Sequence, residues 1–272
     1  MPFADNQGAR IYWDEQGRGA PVLLIMGLGW TSAMWHRTRP ILAERCRTVA
    51  LDNRGVGRSD VPPGPYSIAL MASDAAAVLD AAGIERAYIF GVSMGGMIAQ
   101  EFALQYPRRV DALLLGCTAA GGPHAVQPDS EVLQMLFRRG LSPDEFAESM
   151  NPFIYHSSTP CERIEEDMAV RRQWYPSDSG FTAQLQGIMG WEAYSRLPQI
   201  AARTLLVHGD SDRLIPPANG DLIAKRIRSA KFVLIPNAGH IFSTDQPAAT
   251  HREVLEFLAS AGANSSIGQQ SK

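Results

Sequence analysis

Short apolar runs recur along the chain, separated by stretches in which apolar residues fall at helical spacing. Segments 21–26, 47–52, 88–92, 110–116, 204–208 and 231–235 each read as a buried strand. Segment 9–14 reads as a first strand, closed by the turn Gln16-Gly17-Arg18-Gly19. Between them, 32–44, 70–82, 96–106, 219–228 and 247–260 have the spacing of helices. Gly83 caps one of these and Pro107 stops another. Buried strands alternating with helices predict an α/β fold with a mostly parallel sheet covered on both faces.

The period changes at Gly121-Gly122-Pro123. From there to Leu197-Pro198 no strand-like run occurs, and Met and aromatic residues are frequent. Helices broken at Pro128, Gly140, Pro143, Pro152, Pro160, Pro176 and Gly180 are expected. This predicts a core of residues 1–120 and 199–261 carrying an inserted helical cap, 121–198. The small, polar residues 262–272 are expected to be a disordered tail.

Composition narrows the function. A net charge of -3 gives no nucleic-acid footprint. The pairs Arg108-Arg109, Arg138-Arg139 and Arg171-Arg172 read as solvated helix faces. Cys46, Cys117 and Cys161 are few and far apart, which suggests a reducing compartment and no disulfide framework. No apolar run approaches the ~20 residues of a membrane span, and residues 1–6 lack a signal-peptide pattern. A cytoplasmic protein with no membrane or nucleic-acid partner is expected.

Candidate chemistry centres on Gly91-Val92-Ser93-Met94-Gly95, which joins a predicted strand to a predicted helix. A serine on so sharp a turn needs neighbours without side chains, and this is the arrangement of a nucleophile elbow. A serine hydroxyl also needs a base, and the base needs an orienting carboxylate. His240, in the loop Pro236-Asn237-Ala238-Gly239-His240 after a strand, is the candidate base. His208 ends a buried strand and reads as structural or as a support for the residues of the site. In the preceding loop Asp210 and Asp212 compete as the acid, with Asp212 further toward His240. Backbone N–H groups of Met94 and Leu28 are the candidate oxyanion donors. Gly27, Trp30 and Trp191 are candidate substrate contacts.

These residues resemble the α/β-hydrolase superfamily, over roughly 22–257. Gly91 to Gly96 is similar to its elbow, and Asp52-Asn53-Arg54-Gly55-Val56-Gly57-Arg58-Ser59 to its Asp-x-Arg-Gly-x-Gly-x-Ser loop. Gly209 to Pro216 matches its Gly-x-x-Asp-x-x-x-Pro acid pattern, which selects Asp212. Met26 stands where the family commonly has a supporting histidine. Within the superfamily the chain looks most like small capped bacterial esterases and enol-lactonase-like proteins. The resemblance implies a cofactor- and metal-free serine hydrolase cleaving a small to medium, mostly apolar ester. A lactone is the nearest alternative, followed by carbon-carbon hydrolysis or perhydrolysis and, last, a non-catalytic receptor. Ser93 argues against haloalkane dehalogenases and epoxide hydrolases of this fold, which place an aspartate at the elbow.

Overall fold

In the computed structural model, which describes residues 2–138 and 140–267, eight strands form one sheet. They are β1 (Phe3–Asn6), β2 (Ala9–Gln16), β3 (Ala20–Ile25), β4 (Cys46–Leu51), β5 (Ala87–Val92), β6 (Val110–Gly116), β7 (Thr204–Gly209) and β8 (Ala230–Ile235). Their order is β1-β2-β4-β3-β5-β6-β7-β8, with β3 to β8 parallel and the first two antiparallel. The sheet is mostly parallel, as the alternation predicts, and the fold is the α/β-hydrolase one that the motif resemblance implies. The strand β1 is additional: four residues carry too little pattern to read alone, and a hairpin with β2 creates the strand.

Alternation along each strand divides the core. On one face Leu23 and Ile25 meet Met71 and Val78 of α2 (Ile68–Ala81) and Ile98 and Phe102 of α3 (Met94–Gln105). On the other, Val22 and Leu24 meet Leu42 of α1 (Arg39–Ala43) and Val254 and Phe257 of α10 (Pro247–Ile267). The helix expected over 32–44 is split into a 3-10 turn, Ser32–Trp35, and α1. Pro40 fits only a first helical turn, so the α-helix starts beside it. The final helix reaches Ile267, across part of the expected tail; 268–272 lie outside the described residues.

Between β6 and β7 lie α4 (Ser130–Leu136), α5 (Pro143–Ile154), α6 (Cys161–Arg172) and α7 (Asp178–Met189). An isolated bridge between Gly121 and Glu192 holds the two ends of this segment together. Pro152 sits inside α5 instead of breaking it. The bond it removes would end on the carbonyl of exposed Glu148, which water can reach. Gly180 sits inside α7 because the helix passes so close to the 52–59 loop that a Cβ would overlap the Gly55 carbonyl. No helix among the described residues is long and apolar enough to cross a membrane.

Candidate active site

β5 ends at Val92 and α3 begins at Met94, leaving Ser93 alone in the turn. Its φ of 57° and ψ of -123° are a strained conformation for a residue with a side chain. A Cβ on Gly91 would overlap the Gly95 carbonyl, and one on Gly95 would overlap the Ile25 carbonyl. The turn therefore closes only with glycine at both places. The backbone is pinned by Ser93 N–H donating to Gly116 O at 2.9 Å and by Thr118 Oγ1 donating to Ser93 O at 2.8 Å. The Ser93 hydroxyl has no hydrogen-bond partner among the described residues and opens on a cavity of about 740 Å3.

His240 lines the same cavity, on the loop between β8 and α9 (Phe242–Asp245). Its Nδ1 lies 2.8 Å from Asp212 Oδ2. His208 Nε2 reaches the same oxygen at 3.1 Å and the Ile215 carbonyl at 2.8 Å. The other oxygen of Asp212 accepts the N–H groups of Leu214 and Ile215, both at 2.9 Å. A carboxylate only accepts, so His240 Nδ1 and His208 Nε2 both carry protons. That leaves Nε2 of neutral His240 with a free lone pair. Asp210 is exposed and bonds to Ser211 Oγ and the Ala238 N–H instead; it makes no contact with His240.

Burial alone would raise the Asp212 pKa, but the His240 charge and the two imidazole hydrogen bonds outweigh it and hold the group at about 2. Burial pulls His240 the other way, down, and the Asp212 carboxylate more than reverses this, so His240 titrates well above its usual range. Cys117 Sγ lies 3.9 Å from His240 Nε2. Burial raises the thiol's pKa, so the sulfur stands there as a neutral thiol. Donor atoms of Cys117, Asp212 and His240 all lie within 4.8 Å, the only such metal-sized group among the described residues.

Gly27, Leu28 and Trp30 line the cavity opposite Ser93, and a Cβ on Gly27 would come within 3.0 Å of the Ser93 Cβ. Leu28 N–H makes no hydrogen bond among the described residues. Met94 N–H, first in α3, has no partner inside the helix. The loop's support comes from two amides. Asn53 Nδ2 donates to the Met26 carbonyl at 2.9 Å, and Gln184 Oε1 accepts the Gly29 N–H at 2.9 Å. Gln184 Nε2 also donates to Arg54 O, tying α7 to both loops. Asp52 accepts bonds from Ser32 and Arg58, as befits a structural loop.

Two expectations move. Trp191 is not part of this cavity: its indole donates to Glu101 Oε2 at 2.8 Å, beside the Arg196 guanidinium, and packs in the core. Arg171 is not on a solvated face: its guanidinium stacks 4.7 Å above the Trp30 ring and lines the cavity. Arg139, of another pair, lies outside the described residues.

The family model described as "alpha/beta hydrolase fold" matches residues 20–247. The chain belongs to the α/β-hydrolase family. It is 30% identical to a putative carbamate hydrolase, RutD, of Azorhizobium caulinodans, over 94% of this chain and 98% of that one. It superposes with TM-score 0.81 and 29% identity on a thermophilic esterase from Thermogutta terrifontis, covering 96% and 98% of the two chains. The enol-lactonase from Burkholderia xenovorans LB400 shares the fold, with TM-score 0.84, 24% identity and 95% and 100% coverage. Both types of neighbour anticipated from the motifs are therefore present.

Sequence reasoning about this α/β hydrolase missed the contacts of Cys117, Gln184 and Arg171 with the site. These three join segments far apart in sequence, with no spacing signal. His208, read as structural or as a support for the site, does reach Asp212, four residues on.

Proposed function

We propose that this chain hydrolyses a carboxylic ester by acyl transfer, with Ser93 as nucleophile, His240 as general base and Asp212 as the acid that orients it. The 2.8 Å contact between His240 Nδ1 and Asp212, which leaves Nε2 as an acceptor with only the weakly donating Cys117 thiol beside it, in the cavity that holds Ser93, carries this reading. In the first step Ser93 Oγ attacks the ester carbonyl carbon as Nε2 takes its proton. The N–H groups of Met94 and Leu28 donate hydrogen bonds to the developing oxyanion. Collapse expels the alcohol, which leaves with the proton from Nε2. Water, deprotonated by Nε2, then attacks the acyl-enzyme and releases the acid and Ser93.

Residues 121–198 act as a cap over a core of 1–120 and 199–261 and set specificity. Phe146, Met150, Phe181 and Met189 from these helices line the cavity, which supports a medium-sized and largely apolar acyl group. A lactone is an ester in a ring and passes through the same steps. A carbamate, as in the name of the Azorhizobium relative, offers a comparable carbonyl.

Hydrolysis of a p-nitrophenyl ester chain-length series, several lactones and a carbamate, with wild type beside Ser93→Ala, tests the reading. The expected result is ester turnover that falls by several orders of magnitude in Ser93→Ala. Ester turnover unchanged in that variant would overturn it. Absence of turnover on every substrate would favour the receptor reading.

A further inference from the structure

Six charged or titratable side chains line the cavity: Cys117, Arg138, Arg171, Tyr175, Asp178 and His240. Arg138 and Asp178 are exposed at the surface, and His240 is paired with Asp212. Arg171, in the last turn of α6, differs from these. No carboxylate of the described residues lies within ion-pair distance of it. Among the described residues the one hydrogen bond its guanidinium makes is Nη1 to the Met168 sulfur at 3.8 Å, and sulfur is a weak acceptor.

The other arginines packed around α6 are satisfied. Arg37 pairs with Glu166 and Asp167, Arg172 with Asp144, and Arg163 donates to the carbonyls of Thr244 and Asp245. Asp167, one turn before Arg171, is already occupied. It accepts bonds from His36, Arg37, Tyr155 and Thr244. The Tyr175 hydroxyl donates to Asp144. Burial lowers the Arg171 pKa, the sign of a cation short of counter-charge, although a guanidinium remains protonated.

A half-buried cation without an oxygen acceptor is costly unless something arrives to pair with it. The Trp30 ring, 4.7 Å from the guanidinium carbon, holds the cation at the cavity wall, and with sulfur as its one acceptor the guanidinium keeps N–H groups to offer a carboxylate. Trp30 follows the Leu28 loop beside Ser93, so a carboxylate at Arg171 occupies the same cavity as the scissile carbonyl.

We infer that Arg171 is a specificity-determining residue that binds a carboxylate of the substrate, making the preferred substrate an ester or lactone that carries a free carboxylate remote from the reacting carbonyl. This rests on the hydrolase reading above and refines its apolar pocket: apolar walls hold the chain, and one cation holds its far end. Binding energy at such a remote group orients the reacting carbonyl.

The test compares the mono-p-nitrophenyl ester of glutaric acid with p-nitrophenyl pentanoate, its neutral match in length, for wild type, Ser93→Ala and Arg171→Gln. Wild type is expected to favour the hemiester by tenfold or more in kcat/KM. The hemiester-to-pentanoate ratio is expected to fall about 10- to 100-fold in Arg171→Gln, chiefly through KM, the range for losing hydrogen bonds to a charged group. Serine-dependent turnover with no hemiester preference in wild type, or a ratio unchanged in the variant, would overturn this inference and leave the hydrolase intact. No turnover of either ester would remove the hydrolase reading and this one with it. Inhibition supplies a measurement on the wild type alone, should Arg171→Gln not fold. Glutarate is expected to compete with pentanoate hydrolysis and glutaramide not to; equal inhibition by both counts against the inference.

Discussion

Replacing Asp212 with asparagine isolates the hydrogen-bond logic of the site. Each oxygen of Asp212 faces two donors: His240 Nδ1–H and His208 Nε2–H on one side, Leu214 and Ile215 N–H on the other. An asparagine must place its NH2 against one of these pairs, donor against donor, in either orientation. His240 can relieve the clash only by moving its proton to Nε2, where it can no longer receive the proton of Ser93. The carboxylate that stabilised the imidazolium is also gone. At an effective dielectric near 20, two unit charges about 4 Å apart interact by about 4 kcal/mol, close to three decades in rate. The wrong tautomer adds about another tenfold, so kcat on a p-nitrophenyl ester should fall about 10^4-fold, the scale known for this substitution in a serine protease.

The pH profile adds an independent check. A base must be neutral to act, so wild-type kcat/KM should climb with pH along a limb above 6.5, set by the raised His240 pKa. Asp212→Asn removes what raised it and keeps the burial that lowers it, so the residual activity's limb should move to lower pH. Asp210→Asn should change kcat less than about threefold, because Asp210 bonds to Ser211 and to the backbone of Asn237 and Ala238, away from His240. A larger loss in Asp210→Asn, or an unmoved limb with less than tenfold loss in Asp212→Asn, would refute the reasoning.

The other predictions concern stability. The Asp212 pKa is held at about 2, below the ordinary 3.8, so its contribution is complete above pH 3.8 and disappears as pH falls through 2. The unfolding free-energy gap between wild type and Asp212→Asn should therefore shrink by about 2 kcal/mol between pH 4 and 2, measured by urea titration; a constant gap contradicts this. The raised His240 pKa acts in the opposite sense: its stabilisation is complete below 6.5 and is lost as pH rises through the folded value. Trp191→Phe should lower Tm by roughly 4–8 °C, about 2 kcal/mol, by removing a bond to the buried Glu101 carboxylate, while ester turnover is retained. Lost turnover at unchanged Tm would return Trp191 to the substrate site. Gly180→Ala should lower Tm, because the methyl overlaps the Gly55 carbonyl. Helix propensity alone would have raised stability by about 1 kcal/mol, so a higher Tm would refute the close approach.

Much of this architecture is legible in the order of residues because it is decided locally. Apolar runs of strand length can satisfy burial only inside a sheet, which explains why 110–116 coincides with β6. The sharp turn at Ser93 excludes side chains beside it, so Gly91 and Gly95 mark it without reference to anything distant. The loops of Asp212 and His240 could be found because each follows a parallel strand, but loop position left Asp210 in competition and the family's acid pattern selected Asp212. Trp191 shows the limit. An aromatic residue in a helical segment reads as a pocket wall or a core anchor with equal ease, and the position of Glu101 decided for the core. Arg171 and Arg172 are adjacent, yet one stacks on Trp30 at the cavity and the other pairs with Asp144 at the surface. Neighbours on a helix point about 100° apart, and only the packing of α6 on the core selects which of them meets the cavity. Gln184 holding Gly29 and Cys117 beside His240 likewise join residues remote in the chain. Periodicity and turn sterics act over a few residues, so they set the elements and the elbow. Contacts across the fold depend on how whole elements pack, and that was determined only by the tertiary structure.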